Sequence, residues 1–271
     1  MTLLMGVVNV TPDSFSDGGQ WLDPEAAIAH GLALRADGAD ILDIGGESTR
    51  PGATRPLIEE ELGRVIPVIT ALVAEGCVVS IDTMRAEVAE AALSAGASIV
   101  NDVSGGLADP DILRVVAQSK ARYIAMHWRA HSDEMQQHTT YVDVVADVVS
   151  ELQQRVSAAV AAGIPLERLA VDPGLGFSKT PAQNWALLRQ LSALDALGLP
   201  VLVGASRKSF LGQLLADADG PRPVDQRDYA DAAIVTMLAE QGVWGIRVHD
   251  VRAAADALAV VRAWRDGGRD E

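Results

Sequence analysis

Short apolar runs in this chain repeatedly end at, or just beside, polar residues suited to chemistry. LLMGVV runs into Asn9, and ILDIGG is followed by Thr49 and Arg50. VVSI reaches Asp82, SIV reaches Asn101, YIAM reaches His127 and LAV reaches Asp172. VLVGAS leads to Arg207 and Lys208, while GIRV contains Arg247 and stops at His249. Sorted by charge, these residues fall into two groups. Asn9, Asp82, Asn101 and Asp172 are amides and carboxylates. A carboxylate accepts from an amino group and a ring N–H together, and an amide both donates and accepts, so this set suits a flat, nitrogen-rich heterocycle. Arg50, Lys208, Arg247 and His249, with Thr49, supply cations and donors. In a chain of net charge −15 such a gathering implies a bound anion, and Arg with His and Thr fits phosphate. Arg247 and His249 are two apart, so on a strand their side chains point the same way. A single Asp or Asn after a strand caps a helix or shapes a turn about as often as it binds a ligand, so the weight lies in the set.

Such a set works only if the fold brings it together. Between the apolar runs lie stretches with apolar spacing of three and four, such as Val144, Val148, Leu152, Val156 and Val160, which predicts helices. Helices are expected near 24–37, 58–75, 85–95, 111–119, 143–162, 182–196, 208–216 with 229–241, and 250–265. Several close on a glycine (Gly38, Gly76, Gly96, Gly163, Gly242), which tolerates the left-handed conformation that ends a helix. The strand-like runs are nearly continuous Val, Ile and Leu, as expected of strands covered on both faces. Eight βα units in succession predict an α/β fold, a (β/α)8 TIM barrel, with an open doubly wound sheet as the rival. In such a barrel the C-terminal strand ends share one mouth, where catalytic groups sit.

Composition agrees. The 271 residues suit one barrel domain spanning 1–271, and no low-complexity linker divides them. Hydrophobic residues make up 49% and aromatics only 4%, so the core must be Ala, Val, Leu and Ile. The acidic balance argues against nucleic acid or an anionic membrane as partner. No apolar run approaches the about 20 residues that span a bilayer, and the N-terminus reads as a strand entering a loop, which predicts a cytoplasmic protein. Cys77 is alone, excludes an internal disulfide and is expected as a buried, inert thiol. His127 ends an apolar run like the others, but a satisfied packing residue is the alternative and no role is assigned to it; Trp128 and Trp185 are expected as packing groups. Residues 129–140 and 217–228 read as irregular stretches. The glycine-rich dinucleotide fingerprint, the P-loop, the nucleophile elbow and zinc spacing are all missing. Any metal should therefore be a hard, oxygen-ligated ion such as Mg2+, held by few protein groups and by the phosphates. The loops NVTPDSFSDGG and STRPGATRP follow the first two runs and are placed to close over a substrate and exclude water.

Seven segments in order, GVVNVTPDSFSDGG, DILDIGGESTRPGA, SIDTMRAEVA, IVNDVSGG, LAVDPGLGFSKT, VLVGASRKSFLG and IRVHDV, together resemble the dihydropteroate synthase family, from about residue 3 to 265. The resemblance implies a barrel, usually homodimeric. The reaction joins 6-hydroxymethyl-7,8-dihydropterin diphosphate to p-aminobenzoate and releases pyrophosphate. It implies that Asp82, Asn101, Asp172 and Lys208 bind the pterin, that Asn9 holds Mg2+, and that Thr49, Arg247 and His249 contact the diphosphate. Thr49, Arg50, Pro51, Phe177, Ser209 and the stem of Lys208 resemble the p-aminobenzoate pocket, where sulfonamides compete. Asp13, Phe15, Asp17 and Thr49 lie on the loops expected to close. Asp82, Lys208, Arg247 and His249 are the residues expected to carry the chemistry. Two rivals share the fold: a pterin-dependent methyltransferase, which needs no diphosphate site, and an inactive pterin-binding paralogue.

Overall fold

A computed structural model describes residues 2–11, 23–47, 55–131 and 134–267. Among them the chain forms eight strands: β1 (Leu3–Asn9), β2 (Ile41–Gly45), β3 (Val79–Asp82), β4 (Ile99–Asp102), β5 (Arg122–Met126), β6 (Leu169–Asp172), β7 (Leu202–Gly204) and β8 (Gly245–Val248). The helices are α1 (Pro24–Ala36), α2 (Ile58–Ala74), α3 (Ala86–Ser94), α4 (Asp111–Ala117), α5 (Val144–Ala161), α6 (Pro181–Arg189), α7 (Ser209–Leu214), α8 (Asp228–Glu240) and α9 (Val251–Asp266). All strand pairs are parallel, in the order β6-β5-β4-β3-β2-β1-β8-β7. A bridge between Val171 and Val201, with the Val171 amide donating to Pro200 O at 2.9 Å, joins β6 to β7 and completes the ring. The expected (β/α)8 barrel forms, and the open-sheet rival does not.

Alternation along the strands explains the packing. One parity (Met5, Ile41, Ile99, Ile124, Ala170, Leu202) makes a separate cluster that fills the lower barrel interior. The other parity (Val8, Ile44, Ile81, Val100, Val171, Val203) packs outward into the main core against the helices. Fully burying such a side chain contributes about 1.5–3 kcal/mol. Two residues beyond Ile99 and Ala170 on the inward parity come Asn101 and Asp172, so the interior changes from apolar to polar at the strand ends. Helix starts are fixed by side-chain caps: Asp143 accepts from Val145 N and Ala146 N, and Thr180 and Gln183 form a reciprocal capping box.

The structure differs from the sequence reading in a few places. The predicted helix over 182–196 ends at Arg189 and continues as a 3-10 turn, Leu191–Leu197, because Gln190 leaves helical geometry (φ −122°, ψ 32°) while Leu191 and Leu194 stay buried. Cys77 is partly exposed rather than buried, 3.5 Å from Arg35 Nη1 and just before β3, at the strand end away from the mouth. The stretch 217–228 is irregular, yet its Arg227 turns inward and is buried. No helix among the described residues is long and apolar enough to cross a membrane.

Candidate active site

Strand register places Asn9 beside Gly45, Gly45 beside Asp82, and Asp82 beside Asn101. These four residues form one row across β1 to β4 at the mouth. Gly45 is the gap in that row: a Cβ there would stand 3.6 Å from both Asn9 Oδ1 and Asp82 Cβ, so its absence leaves room between an amide oxygen and a carboxylate.

Arg247 of β8 reaches across the barrel into this row. Its Nε donates to Asp43 Oδ2 at 2.7 Å and its Nη2 to Asp82 Oδ2 at 2.8 Å, while Asn101 Nδ2 donates to Asp43 Oδ2 at 3.0 Å. The cation expected on the anion side therefore also organises the ring side, because a guanidinium sunk in a barrel mouth draws the nearest carboxylates. Burial, opposed by Arg247 and reinforced by the charge of Asp43, raises the Asp82 carboxyl to about 7. Burial also raises Asp172, against the pull of Lys208. The carboxylates of Asp43 and Asp82 both face the one guanidinium of Arg247.

Lys208 ends the β7 loop and stands at the N-cap of α7. Its ammonium donates to Leu175 O and lies 4.8 Å from the centroid of the Phe177 ring, a cation–π contact. Burial lowers it to about 8, against the attraction of Asp172. Its stem lies over Gly176, where a Cβ would stand 3.0 Å from Lys208 Cδ. The Ser206–Arg207 turn that presents Lys208 is tied down from α8. Ser206 Oγ donates to Asp231 Oδ2 at 3.0 Å, Arg207 N donates to the same carboxylate at 3.1 Å, and Arg227 Nη1 donates to Arg207 O at 2.6 Å. Arg207 has φ +61°, a left-handed conformation that these contacts hold in place. His249 stands with Nδ1 3.0 Å from Ser206 Oγ, so β8 and the β7 loop meet directly. Ser209 is the first residue of α7 and is exposed. Thr49, Arg50 and Pro51 lie outside the described residues, as do Asp13, Phe15 and Asp17. Their immediate flanks are fastened. Arg55 Nε pairs with Glu47 Oε1 at 2.7 Å, and Arg85 donates to Pro56 O at 2.6 Å while pairing with the fully buried Glu61 at 3.1 Å.

Among the described residues no group of three or more His, Cys, Asp or Glu could hold a metal ion. The donors do fit a Mg2+ ion carried in by a diphosphate. Asn9 Oδ1 is a hard oxygen at the open row beside Gly45, and Mg2+ keeps most of its ligands from water and phosphate.

Several structural residues escaped the sequence reading. Asp43 lies inside an apolar run, but it precedes Gly45 by two, so strand alternation already pointed it at the mouth. Lys179, in FSKT, is buried at 3% exposure and carries no charge pattern in sequence that would mark it. Arg227 and the Glu61–Arg85 pair depend on contacts far apart in sequence. His127, which the sequence left between a mouth group and a satisfied packing residue, is buried and partnered, with Nε2 2.9 Å from Glu151 Oε2. Trp185 packs edge-on against Phe210, centroids 5.2 Å apart.

A (β/α)8 barrel with carboxylates, amides and two cations at its mouth is the architecture of an enzyme for a polar heterocycle. A family model described as pterin binding enzyme matches residues 5–249. The chain belongs to this pterin-binding family. The chain is similar to the dihydropteroate synthase of Mycobacterium leprae, with 55% identity over 98% of this chain and 94% of that one. It is also similar to the Xanthomonas albilineans dihydropteroate synthase solved with 4-aminobenzoic acid (47% identity, TM-score 0.89, covering 97% of this chain and 93% of that one). The same enzyme solved with 7,8-dihydropteroate gives 44% identity and a TM-score of 0.85 over 97% of this chain and 94% of that one. Both relatives are synthases, and neither is a methyltransferase.

Proposed function

We propose that this chain is a dihydropteroate synthase, a transferase of folate biosynthesis. It joins 6-hydroxymethyl-7,8-dihydropterin diphosphate to p-aminobenzoate and releases pyrophosphate. The observation that carries this reading is the row Asn9–Gly45–Asp82–Asn101 crossed by Arg247. It offers a carboxylate and two amides while keeping a cation within reach of an anionic leaving group.

Each side chain has a physical task. Asp82, Asn101 and Asp172 receive the amino and ring N–H groups of the pterin, and Lys208 donates to a ring acceptor. The carbon that carries the diphosphate adjoins an electron-rich ring, so breaking its C–O bond can run ahead of attack. Asp82 and Asp172 then offset positive charge developing on the ring. Arg247 and His249 donate to the departing diphosphate, and one well-aimed donor of this kind is worth roughly 3–4 kcal/mol of barrier. Asn9 would hold Mg2+, whose charge neutralises the diphosphate. The aromatic amine of p-aminobenzoate is neutral at neutral pH, so it attacks without a strong general base. Phe177 and Ser209, with Thr49, Arg50 and Pro51 outside the described residues, are the residues that the family resemblance assigns to its pocket.

The same proposal includes one domain over 1–271, a cytoplasmic enzyme and a homodimer. Support for the dimer comes from the family resemblance, and the adjoining helices α8 and α9 carry exposed apolar side chains, Tyr229 at 94% and Trp264 at 82%. The test is pyrophosphate release with Mg2+ and either substrate alone or both. Release that requires both supports the synthase, and no release with both removes it.

A further inference from the structure

The loop after β6 is held by a group of residues that the reaction does not use. Lys179, at 3% exposure, points its Nζ at three acceptors: Gly174 O at 2.9 Å, Phe177 O at 3.0 Å and His127 Nδ1 at 2.9 Å. His127, at the end of β5, turns its other nitrogen to Glu151 of α5. Glu151 also takes two contacts from Arg129, which lies over the Tyr141 ring at 3.7 Å, and Tyr141 donates to Ser178 O at 2.9 Å. The chain of contacts thus leaves the loop at Lys179 and returns to it at Ser178.

The partners around each group assign its protons. Burial would raise Glu151, but the bonds from His127 and Arg129 outweigh it and hold the carboxyl at about 2, so it accepts only. The proton between His127 and Glu151 therefore sits on Nε2. Burial, helped by Lys179, lowers His127 to about 4, so the ring is neutral and Nδ1 is an acceptor. Lys179 faces two carbonyls and this nitrogen, and must donate all three bonds. Burial pushes Lys179 well below its ordinary value, yet three acceptors and no donor require the ammonium.

What this ammonium fixes is the loop backbone. Gly174 passes so close to β5 that a Cβ would stand 2.2 Å from His127 O, and Ser178 is held at φ +48°. Between these two points lie Leu175, whose carbonyl accepts from Lys208, and Phe177, whose ring lies beside the same ammonium. We propose that Lys179, backed by His127 and Glu151, is the positioning residue for the aromatic-acid side of the site, setting the Phe177 ring and the Leu175 carbonyl against Lys208. The inference rests on the synthase reading, which places Phe177 in the p-aminobenzoate pocket. Of the pterin groups, Asp82 and Asn101 stand on strands apart from the loop, Asp172 stands on β6 and meets the loop only through Gly174 N at 2.7 Å, and Lys208 is placed by the N-cap of α7.

Lys179→Met removes the three donors at similar length. Its KM for p-aminobenzoate should rise by at least about tenfold, as expected when charge-assisted bonds are lost, while pterin affinity changes by less than about threefold. Hydrogen exchange of the 174–179 amides should quicken by at least about tenfold. A merely structural lysine would lower the folded fraction and leave both constants of the active enzyme unchanged. Tyr141→Phe removes only the bond to Ser178 O and should raise the same KM about threefold. If Lys179→Met does not fold, this second variant decides: a wild-type KM for p-aminobenzoate overturns the inference. An unchanged KM, or equal losses for both substrates, overturns it for Lys179→Met as well. An inactive wild-type enzyme would instead overturn the synthase reading, and unaltered exchange in Lys179→Met would then still refute the loop's dependence on Lys179.

Discussion

Asp43 is buried completely, and one of its oxygens takes bonds from both Arg247 and Asn101, at 2.7 and 3.0 Å. Its other oxygen, Oδ1, has no hydrogen-bond partner among the described residues. Asp43→Asn preserves shape and an acceptor but removes the charge. The Asn101 bond can survive it, so the loss falls on the ionic bond to Arg247. A hydrogen bond to a charged group is worth about 1.5–3 kcal/mol, a factor of roughly 10–150. Catalytic efficiency for the pterin diphosphate should fall by about 10–100-fold. A second effect has a definite sign. The charge of Asp43 helps raise Asp82, and without it Arg247 pairs with Asp82 alone. The Asp82 carboxyl should then titrate below about 7. Turnover that needs ionised Asp82 rises with pH through that value, so the acid limb of kcat/KM should move to lower pH. Pyrophosphate release measured from acid to alkaline pH, at subsaturating pterin diphosphate, reads both effects. Efficiency within about twofold of wild type, with an acid limb unmoved or higher, would refute this role for Asp43.

Three other substitutions probe separate parts of the site. Lys208→Ala should weaken pterin binding and turnover by at least about tenfold while circular dichroism stays native, and it should abolish an alkaline limb near pH 8 in kcat/KM. Wild-type turnover would remove Lys208 from the site. Asn9→Ala should raise the Mg2+ concentration for half-maximal activity several-fold, with little change in melting temperature; an unchanged Mg2+ requirement would place the ion elsewhere. Gly174→Ala forces a Cβ against His127 O at a φ of +65° and should destabilise by about 2 kcal/mol or more, lowering Tm by roughly 4–8 °C. A Tm within a degree of wild type would contradict that close approach.

The barrel was legible because its signal is local and repeated. Strand ends such as Asn9, Asp82 and Asp172 follow continuous apolar runs, and the helices before Gly38, Gly76, Gly96, Gly163 and Gly242 do end there, with positive φ at each glycine. The division of the mouth into a ring side and an anion side was harder to read. Arg247 was placed on its strand correctly, but its bonds to Asp43 and Asp82 span 204 and 165 residues. Asp43, hidden in an apolar run, escaped the reading, although its period-two spacing from Gly45 was the signal that could have found it. Nothing local marks Lys179 or Arg227, because each is defined by carbonyls on another loop or turn that only the folded barrel brings near. His127 ends a strand like the others, yet its side chain serves Lys179 and Glu151 rather than the mouth.

The most direct test of the synthase assignment is product identity. Purified protein incubated with 6-hydroxymethyl-7,8-dihydropterin diphosphate, p-aminobenzoate and Mg2+ should yield 7,8-dihydropteroate by mass, one molecule for each pyrophosphate released. Pyrophosphate released at the same rate without p-aminobenzoate, or no dihydropteroate with both substrates present, would contradict it.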